Sequence, residues 1–185
     1  LNELKKSIGW APKVTRAPPL ASKTVSEVRN YLRTVREERI EFLRKLGRRL
    51  IREIPEGENW VRLTTLGGYR EVGRSCTLLM TRNSKIMIDC GAMPSSDHVT
   101  PYLNAPELMP LDSLDAVVIT HAHLDHCGLI PYLYKMGYRG PIYMTPPTRD
   151  IAALLNLDFI GVAYKQASKP LFSSADIKEM VKHSI

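Results

Sequence analysis

Between Val28 and Leu50 the apolar residues Val28, Leu32, Val35, Ile40, Leu43, Leu46 and Leu50 recur at mostly helical spacing. This predicts one long helix after the break at Pro18-Pro19 and Ala21-Ser22, capped by Thr24 or Ser26 with Glu27 in its first turn. Past a turn at Pro55-Glu56-Gly57-Glu58 the pattern changes to short apolar runs bounded by turn residues. Strands are predicted over 60–66, 76–80 and 85–88, the last two joined at Arg82-Asn83-Ser84. The stretch from Pro94 to Pro110 reads as a loop. Val117-Val118-Ile119-Thr120, led in by Leu114-Asp115, reads as a buried strand. A helix over 128–136 ended by Gly137, a strand over 142–144, a helix after Pro146-Pro147 with Ile151, Leu154, Leu155 and Phe159 as its buried stripe, and a helix over 176–183 complete the pattern. Strands first and alternation afterwards predict an α/β architecture, with sheet inside helical layers.

Directly after the buried strand comes His121-Ala122-His123-Leu124-Asp125-His126, three imidazoles and a carboxylate in six residues. Residues two apart in an extended segment project to one side, so His121 and His123 can share one ion, while Asp125 and His126 face elsewhere and can hold a second. Neutral imidazole and carboxylate suit Zn²⁺, and Mn²⁺ or Fe²⁺ accept the same donors. Cys127 lacks any C-x-x-C context and reads as a small buried thiol, and His98 and His183 as structurally incidental.

The chain has 185 residues and a formal net charge of +7, very unevenly spread. Residues 1–58 hold 14 Lys and Arg against 8 acidic residues, leaving 12 against 11 for the remainder. A basic arm beside a hydrolytic site suits a phosphate-backbone substrate, since each neutralised phosphate releases a counterion. A solvated helix face with pairs such as Arg33–Glu37 and Glu41–Lys45 explains the same charge equally well. Three cysteines without framework spacing, no apolar run near the roughly 20 residues of a membrane span and no signal-peptide pattern predict a cytoplasmic protein. Gly137-Tyr138-Arg139-Gly140 matches the GxxG form of nucleic-acid-binding KH loops, but its place before a short strand favours a tight turn.

The HxHxDH stretch resembles the second motif of the metallo-β-lactamase fold. Gly67-Gly68-Tyr69-Arg70-Glu71-Val72-Gly73-Arg74-Ser75-Cys76 and Ile86-Met87-Ile88-Asp89-Cys90-Gly91 resemble the opening of the β-CASP nucleases, with Asp89 at the first motif. Residues 9–19 and 38–49 are similar to the junction region of archaeal homologues of the cleavage and polyadenylation specificity factor nuclease. That resemblance implies the first half of an αββα sandwich over 59–185, preceded by the tail of a KH domain (1–20) and a basic linker helix (21–58). It further implies two Zn²⁺ ions per complete site, with His121, His123, Asp125 and His126 as ligands, Asp125 also orienting the attacking water, and Asp89 orienting the histidine loop. It implies a ribonuclease cutting single-stranded RNA 3′ ends in transcription termination, in contact with RNA polymerase or other transcription machinery, and a homodimer through regions outside this stretch. The alternatives are a small-molecule hydrolase of the same fold and a non-catalytic RNA-binding or interaction subunit.

The resemblance also says what is missing. No third-motif histidine in a Gly-rich turn and no fourth-motif aspartate follow His126. The chain therefore reads as a fragment, inert by itself, whose half-sandwich leaves an apolar sheet face exposed.

Overall fold

The computed structural model describes residues 22–51, 53, 57–93 and 99–185, with residues 3, 6, 7, 9 and 10. The expected KH tail thus lies almost wholly outside the described residues, as do Pro18-Pro19, Pro55-Glu56 and His98.

Ser22 rather than Thr24 or Ser26 caps the first helix, α1 (Lys23–Thr34), its hydroxyl accepting from the Val25 amide at 3.4 Å. The single long helix does not form. The chain turns at Val35 (φ −92°, ψ 19°) and continues as α2 (Arg36–Leu50). The turn rotates the apolar stripe, so Val28, Val35 and Leu46 are buried while Leu43 and Leu50 are exposed. Arg33–Glu37 and Glu41–Lys45 are not closed among the described residues; Arg33 donates instead to Asn30. The pair is not a free-standing arm. α2 grips the last helix, α6 (Ser174–His183), where the Arg39 guanidinium donates to the Val181 and Lys182 carbonyls, Lys182 pairs with Glu38 at 3.2 Å, and Phe42 meets the His183 ring edge-on at 4.7 Å.

The five-stranded sheet runs in chain order: β1 (Val61–Gly67), β2 (Cys76–Thr81), β3 (Lys85–Ile88), β4 (Ala116–Val118) and β5 (Ile142–Tyr143). The first three are antiparallel, and β4 and β5 add in parallel, with Ser184 bridging Ile142 beyond them. A mixed sheet follows from the connections: the tight turn after Thr81 returns the chain antiparallel, whereas β4 and β5 are reached by crossovers. Leu78, Met87, Val117 and Ile142 stand in register on one face and are fully buried. They join one core with Leu108, Leu114, Ile130, Leu133, Tyr134 and Met180. On the other face Leu79, Ile86, Ile88, Val118 and Tyr143 are only half-buried, and Val61 and Leu63 are 71% and 66% exposed. No layer covers that face among the described residues.

The remaining helices are α3 (Leu124–Cys127), α4 (Ile130–Lys135) and α5 (Pro146–Lys165). The stripe predicted for α5 is corrected: Ile151 and Leu154 are exposed, Leu155 and Phe159 half-buried, and the buried face is Ala152, Ala153, Asn156, Ile160 and Ala163. Small side chains let this helix approach α1, α3 and α6 closely, and proximity of the backbones outweighs side-chain size in choosing the face. Gly137-Tyr138-Arg139-Gly140 is the tight turn between α4 and β5, with Gly137 at φ +106° and the Tyr138 hydroxyl donating to Pro141 O at 2.8 Å.

Candidate metal centre

β4 ends beneath the cluster. The Ile119 amide still donates to Tyr143 O at 3.0 Å, after which the chain leaves the sheet at Thr120. His123 is extended (φ −65°, ψ 144°) and caps the single turn α3, its carbonyl accepting from the His126 and Cys127 amides at 2.9 Å each. The helical turn changes the expected geometry. His126 does not face away from His121: their ring centroids are 4.0 Å apart, closer than the 4.8 Å between His121 and His123. His126 Nε2 lies 3.5 Å from Asp125 Oδ2. All four side chains gather on one side of the loop.

Backbone from two distant segments holds this loop from below. Ser75 N donates to Asp125 O, Cys90 N to His126 O and Ala92 N to Leu124 O, at 2.9, 2.8 and 2.8 Å, and Leu129 N returns to Cys90 O at 2.9 Å. A turn as short as α3 leaves the Asp125 and His126 carbonyls without partners in the turn, and the Ser75 and Cys90 amides satisfy them. The approach is so close that a Cβ on Gly91 would sit 1.7 Å from Asp125 O, and one on Gly128 would sit 2.9 Å from the Ala92 Cβ. Gly91 is therefore required by backbone contact, and Gly128 by the small space that Leu124 O and the Ala92 methyl leave.

Asp89 is buried, follows β3 and adopts a left-handed conformation (φ +59°), which costs a non-glycine residue about 1 kcal/mol or more. Its carboxylate accepts the Thr120 amide (2.8 Å), the Thr120 hydroxyl (2.8 Å) and His126 Nδ1 (2.8 Å). Because the Thr120 hydroxyl proton goes to Asp89, its oxygen accepts from His121 Nδ1, 3.0 Å away. One carboxylate thus assigns the tautomer of two imidazoles, directly for His126 and through Thr120 for His121. Both are left with Nε2 lone pairs free.

Cys127 is buried, and burial pushes its thiol up to about 12, so it stays a donor, to Ala122 O at 3.1 Å. Asn156 of α5 brings Nδ2 to 4.0 Å from that sulfur and donates to Ala152 O, while its Oδ1 has no partner among the described residues. His183 is a core histidine between the Phe42 and Tyr134 rings.

In kind, three imidazoles and a carboxylate fit zinc. In number they do not complete a site: among the described residues no three such side chains converge on one ion. A catalytic zinc takes about three protein ligands. Sequence reasoning brought the four donors and Asp89 together but missed Thr120, Gly91 and Asn156. The available signals were a hydroxyl beside the first histidine and an Asp-x-Gly at a strand end.

Residues 69–136, which carry the histidine loop and the aspartate that anchors it, match the model of the metallo-beta-lactamase superfamily. The chain is 52% identical to transcription termination factor FttA of Methanosarcina mazei and 48% identical to that of Methanothermobacter thermautotrophicus, over 100% and 99% of its length. The FttA of Methanocaldococcus jannaschii is 46% identical over the whole chain. The chain spans 29% of the length of each of these curated relatives. The likeness to archaeal proteins read from the sequence therefore stands. No helix among the described residues is long and apolar enough to cross a membrane.

Proposed function

We propose that the full-length protein is a zinc-dependent ribonuclease that cleaves RNA phosphodiester bonds in 3′-end formation and transcription termination. The observation that carries this reading is the His121/His126 pair, with both Nε2 atoms freed by the Asp89–Thr120 network and that of His126 set 3.5 Å from the Asp125 carboxylate. In this reading His121 and His123 hold one Zn²⁺ and Asp125 and His126 the other, with further ligands from residues beyond this chain. Zinc bound there supplies Lewis acidity and lowers the pKa of a coordinated water toward neutrality. The Asp125 carboxylate would, besides holding zinc, orient the attacking water by accepting a hydrogen bond from it. Asp89 Oδ2 holds the His126 Nδ1 proton, which turns the ring so that Nε2 is the atom left for a metal.

The same reading takes 1–20 as the end of a KH domain, 21–58 as a basic helical segment and 59–185 as the first part of the nuclease domain. Single-stranded RNA and the transcription machinery are the partners, a homodimer the assembly and the cytoplasm the location. The uneven charge and the relatives' role in termination support it. A small-molecule hydrolase has no use for the basic segment.

The test is cleavage of single-stranded RNA by the full-length protein, with and without chelator. Chelator-sensitive cleavage that zinc restores, and that His121→Ala abolishes, is expected. Cleavage untouched by both would exclude the reading, as would activity confined to small esters.

A further inference from the structure

We propose that the cavity between α2 and the entries to β4 and β5 binds a nucleoside phosphate, either a free nucleotide or one residue of an RNA strand. The cavity has a volume of about 530 Å³, within the roughly 300–1,000 Å³ typical of small-molecule sites. It lies at the other end of the sheet from the histidine loop. Asp115 leads into β4 there and His121 follows it, six residues or ~20 Å of strand away. It is therefore separate from the metal centre.

The floor is apolar, formed by Phe42, Leu111 and Met136, and the rim carries Lys45, Arg49 and Arg139 against a single acid, Asp112. Phe42, Lys45 and Arg49 fall at i, i+3 and i+7 of α2, on the face turned to the domain. A solvated surface accounts for Arg36, Arg44 and Arg48 elsewhere on this helix, but not for cations directed into a cavity. The positions of the two arginines are set. Arg139 Nη1 donates to the Tyr134 and Tyr138 carbonyls at 2.7 and 2.6 Å, which orient the guanidinium without neutralising it. Arg49 is held by Asp115 at 2.8 Å, and Asp115 in turn accepts the Lys85 amide at 2.9 Å. Lys45 has no ion pair among the described residues.

The ligand must match both surfaces. A bare anion leaves the floor uncovered, and an apolar ligand desolvates the rim cations without compensation. A nucleobase against Phe42 and Met136 with its phosphate between Lys45 and Arg139 satisfies both, by ring contact and charge-assisted hydrogen bonds. The RNA form of this proposal rests on the ribonuclease reading; the free-nucleotide form does not.

The experiment uses the full-length protein and its Lys45→Glu/Arg139→Glu variant. Adenosine 5′-monophosphate binding is measured by calorimetry, and binding of a single-stranded RNA of about 20 nucleotides by anisotropy. Saturable nucleotide binding weakened at least about tenfold in the variant is expected. A parallel loss for the long RNA assigns the site to the RNA path, and an unchanged RNA affinity assigns it to a free nucleotide. Cleavage of a tetranucleotide at the metal centre should be unchanged, so loss of all cleavage in the unaltered protein sinks the function reading and leaves the cavity test readable. If thermal melting shows the double variant unfolded, Lys45→Gln alone should still weaken nucleotide binding severalfold. Nucleotide and long-RNA binding identical in variant and parent would overturn the proposal.

Discussion

The two ends of the sheet are built by opposite means. At the carboxyl ends of β3 and β4 the histidine loop is locked by backbone amides, a buried carboxylate and glycines with no room for a methyl group. At the amino ends of β4 and β5, α2 rests on a few apolar side chains and on long cations, leaving a cavity between itself and the sheet. Ligation needs donors fixed within a fraction of an ångström, and fixed geometry comes from buried hydrogen bonds whose loss is costly. A charged docking surface needs only complementarity, and solvated ion pairs supply that at about 0–1 kcal/mol each.

The sharpest way to break this contrast is Gly91→Ala in the full-length protein. A methyl 1.7 Å from Asp125 O must push the loop away, and a loss of about 3 kcal/mol or more in stability, with zinc content falling toward background, is expected. Normal metal stoichiometry and melting temperature would show that the contact is dispensable. Asp89→Asn comes next. It keeps the size but replaces a shared acceptor with an amide that cannot take three donors, so chelator competition should read about a 10–100-fold weaker metal. An unchanged affinity would remove Asp89 from the positioning network.

At the other end, Arg39→Met keeps the packing stem but strips two hydrogen bonds from the carbonyls ending α6. Destabilisation of about 1–2 kcal/mol by thermal melting is expected, against about zero for Arg44→Gln. Equal effects of the two would mean that α2 is not docked through Arg39. The smallest effect concerns pH. Burial lowers the His183 pKa from 6.5, partly opposed by Glu179, so the folded state prefers the neutral ring. Its contribution is complete above about 6.5 and is lost as pH falls through the lower folded value, because the unfolded chain takes up the proton first. Melting temperature should therefore decline below about pH 6.5 with a slope that His183→Gln flattens; an identical slope would assign it to other groups.

Much of the site was legible because its signals are local. The spacing of His121, His123, Asp125 and His126 after a β-branched run sets a strand end and a donor set within one short segment, and Ile86 to Gly91 marks the aspartate turn beside it. The five strands were also readable, since each is a short apolar run bounded by turn residues, such as Cys76 to Met80. Only tertiary structure decided the rest. The break at Val35, the Ala152/Asn156 face of α5 in place of the Ile151/Leu154 stripe, and the fold of His126 back onto His121 each depend on how closely another backbone approaches. Local sequence carries propensity and chemistry; it cannot encode the distance to a segment thirty or more residues away, and in this protein that distance selects which side chains are buried and which nitrogen atoms remain free.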